Sequence, residues 1–222
     1  MNDDVRSSRA RAPDKKAEQF NKILETGKEL FVKYGSHGFS LRALARTLKM
    51  SQSNLYNYVK SKRELWIAIR IKNFTEFQDG FSKIVEKYKE NYLELWIEMA
   101  RYFLDFAAED YKRFEMMFFV RAPPSEKIGE YEKKYKPLKI QDQGIDILNQ
   151  SIKEKKFKGE NPTEFFYYMY GACIGAAKIE ADLRFNLSTM EPFTIEKNPL
   201  TISEFRNYFM KELRNRLEKE FV

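Results

Sequence analysis

The chain has 222 residues, of which 43% are hydrophobic and 15% aromatic, so it can build one generous domain or two modest ones. No apolar run reaches the ~20 residues that a membrane-spanning helix requires. The N-terminal stretch lacks the apolar region of a secretory signal. A single cysteine, Cys173, excludes an intramolecular disulfide and fits a reducing compartment. We therefore expect a cytoplasmic protein without a membrane partner.

The net charge of +7 is distributed unevenly along the chain. Residues 1–62 contain 13 Lys and Arg against 6 Asp and Glu, whereas the two signs balance over residues 63–222. A basic segment joined to a neutral one points to a polyanionic partner at one end of the chain. On charge alone, a basic region that only aids solubility is an equal alternative.

The first 13 residues are polar and lack periodicity, which predicts a disordered basic arm. The arm carries Arg6, Arg9 and Arg11. Two interpretations stay open at this point. The arginines belong either to a solvated tail or to an arm that enters the minor groove of DNA.

Helical spacing of apolar residues dominates the chain after the arm. The first three helices are predicted over residues 14–34, 41–48 and 52–59. Gly35 suits a left-handed stop after the first helix, and Ser40 and Ser51 are the expected N-caps of the next two. These three helices define a predicted domain over residues 14–62.

The remaining residues, 63–222, also favour helices, because they show little of the period-2 alternation that strands require. Ser61 and Glu64 predict a capping box at the start of the fourth helix, and a second box begins at Thr201. Further helices are predicted near residues 62–88, 90–108, 110–120, 125–135, 137–156, 162–185 and 202–217. The sequence therefore predicts an all-α protein with a larger C-terminal helical domain.

Residues 51–60, SQSNLYNYVK, place an unusual set of polar groups on a short helix. Helices 41–48 and 52–59 have the dimensions of a helix-turn-helix, whose second helix lies in the major groove of DNA. Leu55 and Val59 are the two strong apolar anchors of that second helix. Its first turn carries two amides and a hydroxyl: Gln52, Ser53 and Asn54. Gln and Asn can each form two hydrogen bonds with adenine, so this face is predicted to read bases.

Several basic and phenolic side chains flank the predicted reading face. Tyr56, Tyr58, Lys60 and Lys62 are placed where phosphates would pass, and Arg42 can reach the backbone or a base. With these contacts, the polar face is exposed because it binds DNA. The alternative for the two tyrosines is that they are simple packing aromatics.

The stretch from Ile23 to Ile69 resembles the N-terminal domain of TetR-family transcriptional regulators. The matching features are the Tyr-Gly that closes the first helix, LRALARTL, and S-x-x-x-LYxYxxSK-x-EL from Ser51 to Leu65. The resemblance implies that eight residues match family positions that touch DNA: Ser40, Arg42, Gln52, Ser53, Asn54, Tyr56, Tyr58 and Lys62. Lys60 is added on its charge and position.

One residue departs from the family pattern. Lys49 stands in the turn where the family usually has Gly or Asn in a left-handed conformation. Lysine there costs roughly 1 kcal/mol relative to glycine. Either the turn differs slightly, or Lys49 offsets this strain by approaching a phosphate.

The C-terminal domain is predicted to hold a dimer interface. Residues 165–177 are apolar on all sides, so this helix must be covered on more than one side. The candidate interface residues come from this helix and from the last one: Gly171, Gly175, Phe205, Phe209 and Leu213. Two helices from each chain would form a four-helix interface, as the resemblance also implies, and a dimer reads two half-sites of a palindromic operator. An intramolecular core helix is the alternative.

The middle of the chain is rich in aromatic and methionine residues, which line both cores and ligand pockets. The candidate pocket residues are Trp96, Met99, Phe103, Met117, Phe119, Phe166 and Tyr170. The resemblance implies that a small molecule enters this domain and shifts the spacing of the two DNA-binding domains of the dimer. An apolar lining favours a hydrophobic effector, first a fatty acyl-CoA, and second a planar aromatic molecule or a multidrug-type cation.

These features favour a ligand-responsive, dimeric DNA-binding repressor. A DNA-binding regulator or architectural protein without a small-molecule effector is the second hypothesis. A helical enzyme is disfavoured, because the sequence has one histidine, His37, one cysteine, and no glycine-rich phosphate loop or hydrolase motif. The sequence has no cluster of His and Cys residues that would form a zinc site. We therefore expect no metal, cofactor or catalytic residue.

Overall fold

A computed structural model describes the backbone of residues 3–125, 128–136, 140–189 and 200–222, and the side chains of residues 14–125, 128–136, 141–184 and 200–222. The described residues form α-helices and no strand, which confirms the predicted fold class. The helices are α1 (Asp3–Gly38), α2 (Leu41–Thr47), α3 (Gln52–Tyr56), α4 (Lys62–Tyr88), α5 (Tyr92–Glu109), α6 (Tyr111–Phe118), α7 (Glu130–Lys134), α8 (Ile140–Lys153), α9 (Pro162–Thr189) and α10 (Ile202–Glu220).

Helix α1 begins at Asp3, within the stretch for which the sequence predicted a disordered arm. That stretch contains three Arg and two Ala, which favour helices. The side chains of Arg6, Arg9 and Arg11 lie outside the described residues. Near its other end α1 is interrupted at Gly35, whose φ of 68° and ψ of 179° are non-helical. The positive φ suits glycine, but this ψ differs from that of the predicted left-handed stop.

The chain forms two compact units, and their boundary differs from the one predicted at residue 62. The first unit comprises Met1–Thr75 and Lys112–Pro137, and the second comprises Glu76–Tyr111 and Leu138–Val222. The difference arises because α4 continues the core of the first three helices beyond its first turn. Its residues Leu65, Ala68 and Ile69 are buried in that core, and Met116 from α6 joins them.

The core of the first unit is formed by α1 to α4. Phe31 and Phe39 meet edge to face with ring centroids 4.5 Å apart, a favoured aromatic geometry. Leu44, Leu55 and Val59 are fully buried with them. This core fixes α2 and α3 on α1 and α4, so it determines which face of α3 remains outside.

The second unit is built around α5, which packs against α9 and α10, while α8 packs against α9. Arg206 on α10 fastens three helices together. Its guanidinium donates to both carboxylate oxygens of Glu180 on α9 at 2.7 and 2.6 Å and to Asp105 on α5 at 2.5 Å. Arg214 forms a two-pronged pair with Glu94 at 2.8 and 3.2 Å, which lowers the pKa of Glu94 below its usual value. These pairs hold α10 against α5.

Within the described residues, no helix combines the length and the apolar character needed to cross a membrane.

Candidate nucleic-acid interface

The first unit contains a compact helix-turn-helix formed by α2 and α3. Ser40 caps α2, because its hydroxyl accepts the Ala43 N–H at 3.1 Å. Ser51 caps α3 by accepting the Asn54 N–H at 3.1 Å. Both N-caps agree with the sequence prediction. Each cap satisfies a backbone donor that the first helical turn leaves unpaired, and so fixes where each helix starts.

The turn between the two helices has the left-handed geometry that is usual for the family, although lysine occupies the position of the usual Gly or Asn. Lys49 has a φ of 52°. The Met50 N–H reaches the Ala45 carbonyl at 3.0 Å, and the Lys49 N–H reaches the Arg46 carbonyl at 3.1 Å. This pattern is a Schellman motif, which closes α2 and redirects the chain into α3. Lysine therefore occupies a conformation that glycine adopts more easily.

Helix α3 presents a polar face to solvent and an apolar face to the core. Leu55 and Val59 are fully buried. The three side chains predicted to read bases are exposed: Gln52, Ser53 and Asn54. The α-helix ends at Tyr56 rather than near Val59, because the Tyr58 N–H bonds to Leu55 in a tighter turn at 2.9 Å. The amides therefore face solvent, where a partner can reach them, and are not buried in the core.

The other residues predicted to touch DNA fall into two groups. Ser40, Arg42, Tyr56 and Lys60 are exposed. Tyr58 and Lys62 are half-buried and partly engaged in the fold. The ring of Tyr58 stacks on Phe20 of α1 with centroids 6.2 Å apart, so the packing interpretation describes part of its role.

The ammonium of Lys62 supports the end of α1. It donates to the carbonyls of Ser36 and Phe39 at 3.1 Å each and lies 5.8 Å from the ring centroid of Phe39. An ammonium has three N–H donors, so two bonds to the protein leave one for a further acceptor. Lys60 differs, since its ammonium donates only to the Tyr56 carbonyl at 2.6 Å among the contacts of the described residues.

The junction between α3 and α4 is organised by Glu64, a residue that the sequence identified only as half of a capping box. Ser61 accepts the Glu64 N–H at 3.0 Å as predicted. The Glu64 carboxylate, however, accepts the N–H of Lys60 at 2.5 Å, one residue before the cap. Its other oxygen accepts the N–H of Tyr131 at 2.9 Å. No sequence pattern indicates this link to residues 129–131, because it joins positions far apart in the chain.

Residues 23–69 match the sequence profile of the family described as bacterial regulatory proteins, tetR family. The chain is 38% identical over 58 residues to the HTH-type transcriptional regulator Rv1816 of Mycobacterium tuberculosis and to Mb1846 of Mycobacterium bovis. This N-terminal segment is therefore of the TetR-family type. The match covers 26% of this chain and 25% of those relatives, so it spans about a quarter of their length.

Solved structures show the same fold over most of the chain. AibR in complex with isovaleryl coenzyme A and operator DNA has a TM-score of 0.61 at 17% identity, covering 87% of this chain and 96% of AibR. The ketosteroid transcriptional regulator KstR2 of Mycobacterium tuberculosis has a TM-score of 0.55 at 14% identity, covering 92% and 95%. At these identities the likeness concerns the fold. The similarity of fold extends beyond the N-terminal segment.

The residues predicted to line an effector pocket lie in both units of this chain. Five belong to the second unit: Trp96, Met99, Phe103, Phe166 and Tyr170. Trp96 meets Phe166 edge to face at 6.3 Å, Phe103 meets Tyr170 at 6.4 Å, and Phe166 stacks on Tyr170 at 6.2 Å. The structure therefore brings four of these aromatic rings together in one cluster.

The other two predicted pocket residues, Met117 and Phe119, belong to the first unit. Met117 is fully buried, whereas Phe119 is 44% exposed. Phe119 contacts Phe114 edge to face at 6.0 Å. Both residues belong to the stretch 112–137, which is part of the first unit.

Trp96 has a feature that the sequence could not reveal. It is only 4% exposed, and its indole N–H has no hydrogen-bond acceptor among the described residues. An unsatisfied buried donor costs about 1–3 kcal/mol. By contrast, the N–H of Trp66 donates to the Val120 carbonyl at 3.1 Å.

The residues predicted for a dimer interface divide by exposure. Gly171 and Gly175 on α9 are exposed, and an added Cβ at either would meet nothing within 4 Å in the described chain. Phe205 and Phe209 are half-buried and stack with centroids 6.3 Å apart. Leu213 is 5% exposed and is buried inside its own chain. Little of its side chain is left for a second chain, and its place in the interface stays a prediction.

The described residues contain no group of three or more His, Cys, Asp or Glu side chains that could hold a metal ion. Cys173 is buried, and burial raises the pKa of its thiol to about 12. The thiolate form that reactive cysteines require is therefore not accessible at neutral pH.

Proposed function

We propose that the chain is a DNA-binding transcriptional regulator that reads its operator with α3. The observation that carries this proposal is the exposed amide and hydroxyl face of α3, anchored by Leu55 and Val59 in a segment that matches the TetR family. A face of this kind is too polar for a core and has the hydrogen-bonding groups that base edges require. The excess positive charge of residues 1–62 supplies the attraction to a polyanion.

In this proposal the side chains divide between base reading and backbone contact. Gln52 and Asn54 pair with adenine through two hydrogen bonds each, and Ser53 contacts a neighbouring base. The remaining predicted residues hold the phosphates: Ser40, Arg42, Tyr56, Tyr58, Lys60 and Lys62. Lys62 contributes its third N–H, while its other two donors keep α1 in place.

We further propose that two copies of the chain pair through α9 and α10. Four large apolar side chains on these helices are exposed in the single chain: Tyr167, Tyr168, Ile179 and Tyr208. Gly171 and Gly175 lie on the same helix with open space around them, which permits close approach of a second helix. A dimer would present two α3 helices to half-sites ~34–36 Å apart, one turn of DNA, and would read a palindromic operator.

The effector is proposed to be a small hydrophobic molecule, of which a fatty acyl-CoA is the first candidate. Two observations support it. The aromatic cluster around Trp96 and Phe166 suits an acyl chain, and the unsatisfied N–H of Trp96 is a donor for the carbonyl oxygen of a thioester. AibR, which shares this fold, is known in complex with isovaleryl coenzyme A. Binding of the effector would release the protein from its operator. The protein would therefore act as a repressor when the effector is absent.

The proposal is tested by selection of duplexes from a random pool with the purified full-length protein. We expect an enriched palindrome whose affinity falls steeply with salt, because phosphate contacts release counterions. Acyl-CoAs of increasing chain length are then added to the complex, and fluorescence anisotropy of the labelled duplex measures release. A pool that shows no enrichment contradicts DNA reading, whereas enrichment without release by any acyl-CoA contradicts only the effector.

A further inference from the structure

Residues 129–131 are fastened to the exit of α3 through one buried carboxylate. Glu64 is 1% exposed. Its two oxygens accept the N–H groups of Lys60 at 2.5 Å and Tyr131 at 2.9 Å. A buried carboxylate is tolerated only when such donors satisfy it. Glu64 therefore links the backbone at Lys60 to the backbone at Tyr131. Loss of either N–H donor would leave its buried carboxylate with one hydrogen bond fewer.

The approach of residues 129–131 to Glu64 depends on the absence of a side chain at Gly129. A Cβ at this position would lie 1.9 Å from the carboxyl carbon of Glu64. The backbone itself does not require glycine, since Gly129 has a φ of −92° and a ψ of 177°, which any residue can adopt. Glycine is needed for the contact and not for the turn.

Two further contacts tie the same segment to the helix-turn-helix. The ring of Tyr131 stacks on Phe20 with centroids 5.3 Å apart, and Phe20 stacks in turn on Tyr58. Arg63 at the start of α4 donates to Glu132 at 2.5 Å. Burial, followed by the charge of Glu64, raises the pKa of Tyr131 above its usual value, so its phenol remains protonated.

Helix α3 is short, so its orientation depends strongly on the residues that follow it. It has five residues, and Leu55 is its buried anchor. The chain then turns through Tyr58 and Lys60 into α4. Both of these residues are held by contacts that reach residues 129–131, one through Phe20 and the other through Glu64.

We infer that Glu64 is a positioning residue for base recognition, and that residues 129–131 set the orientation of α3 through it. The inference rests on the proposed DNA-binding function and adds to it a segment outside the helix-turn-helix. Glu64 is buried and does not itself meet DNA. Its loss therefore alters base contacts, which depend on orientation, and leaves the general attraction of the basic surface for phosphates in place.

The inference is tested with two variants and a matched control in the full-length protein. Glu64→Gln replaces one acceptor oxygen by an amide that cannot accept a hydrogen bond. Gly129→Ala displaces the carboxylate sterically while Glu64 itself is unchanged. Gly159→Ala is the control, because its Cβ would lie 2.3 Å from the ring of Phe157 in the second unit, a comparable clash away from α3.

Fluorescence anisotropy measures the affinity of each protein for the duplex selected by the wild type and for a scrambled duplex at the same salt concentration. Thermal unfolding verifies that each variant is folded. We expect both test variants to lose about tenfold in affinity for the selected duplex, the size of one charge-assisted hydrogen bond. The affinity for the scrambled duplex and the salt dependence remain unchanged, and Gly159→Ala alters neither affinity.

A double variant, Glu64→Ala with Gly129→Ala, provides an internal check. Removing the carboxylate makes room for the new Cβ, so the double variant should bind like Glu64→Ala alone. Equal losses for selected and scrambled duplexes, or no loss for either, would overturn the inference while the proposed function stands. A wild type that prefers no duplex would overturn the proposed function itself, and the inference with it.

Discussion

Lys49 and Lys155 have the same left-handed backbone, with φ angles of 52° and 58°. Each lies two residues beyond the end of a helix, α2 or α8, and each closes that helix with the same pair of hydrogen bonds. For Lys155 the bonds join its N–H to Ile152 at 2.9 Å and the Lys156 N–H to Ser151 at 2.8 Å. The two lysines carry equal backbone strain, but only Lys49 stands beside the proposed reading helix.

This equivalence predicts a separation of stability from DNA binding. Lys49→Gly and Lys155→Gly should each raise the free energy of unfolding by about 1 kcal/mol, because glycine relieves the left-handed strain. Only Lys49→Gly should weaken DNA binding, with a loss of about one phosphate's contribution to the salt slope. Chemical denaturation and salt-dependent anisotropy measure the two quantities. Unchanged DNA affinity in Lys49→Gly would remove Lys49 from the phosphate contacts.

Base reading by α3 predicts a change in sequence preference. Gln52→Ala and Asn54→Ala should each cost about 1–3 kcal/mol at one base pair if a two-pronged contact is lost. Selection from a random pool by each variant should yield a relaxed position in the operator. Gln143→Ala, an exposed amide on α8, should select the wild-type sequence. An identical preferred site for all proteins would argue against base reading.

The different surroundings of Lys60 and Lys62 predict different effects of the same substitution. Lys60→Gln should reduce the salt slope by about one phosphate with little change in stability. Lys62→Gln should reduce the slope similarly and also lower the free energy of unfolding by about 1–2 kcal/mol, since bonds to Ser36 and Phe39 are lost. Equal stability of the two variants would show that the Lys62 bonds contribute little.

The open surroundings of Gly175 predict how the proposed dimer responds to substitution. Gly175→Glu should leave the single chain folded, because nothing lies within 4 Å of the new Cβ. It should abolish the dimer, since a carboxylate would be buried between two helices. Analytical ultracentrifugation without DNA measures the mass, with Lys155→Gly as a control. A wild type that sediments as a monomer would contradict the interface on α9 and α10.

Trp96 and Trp66 should respond differently to substitution by phenylalanine. Trp66→Phe should lower the free energy of unfolding by about 1 kcal/mol, because it removes the bond to Val120. Trp96→Phe removes a donor that has no acceptor, so it should destabilise the protein less than Trp66→Phe, although both substitutions leave a small cavity. Its affinity for isovaleryl coenzyme A or longer acyl-CoAs, measured by calorimetry, should fall. Unchanged affinity would exclude the indole as the thioester donor.

Local features of the sequence predicted local structure well. The box from Thr201 to Glu204 is present, with the reciprocal bonds at 3.1 and 2.9 Å. Asn161 caps α9 by accepting two backbone N–H groups. The buried and exposed faces of α3 follow from the spacing of Leu55 and Val59. Each of these features depends on residues within one or two helical turns.

Features that depend on contacts between residues far apart in the chain could not be predicted from the sequence. The division into compact units differs from the predicted boundary because residues 112–137 pack on α4 through contacts such as those of Trp66 and Glu64, which leave no periodic signal. Leu213 is buried, whereas Phe205 and Phe209 on the same helix are half-buried, so apolar spacing alone could not separate a core face from an interface. The unsatisfied donor of Trp96 likewise depends on packing in three dimensions.

The most direct test of the account is the ratio of affinities for selected and scrambled duplexes in the wild type and in a Gln52→Ala, Asn54→Ala double variant. Specific binding by a protein of this kind typically exceeds non-specific binding by about 10³-fold or more. We predict that ratio for the wild type and its collapse in the double variant, with affinity for scrambled DNA retained. Equal affinities in the wild type, or a ratio that survives loss of both amides, would contradict the account.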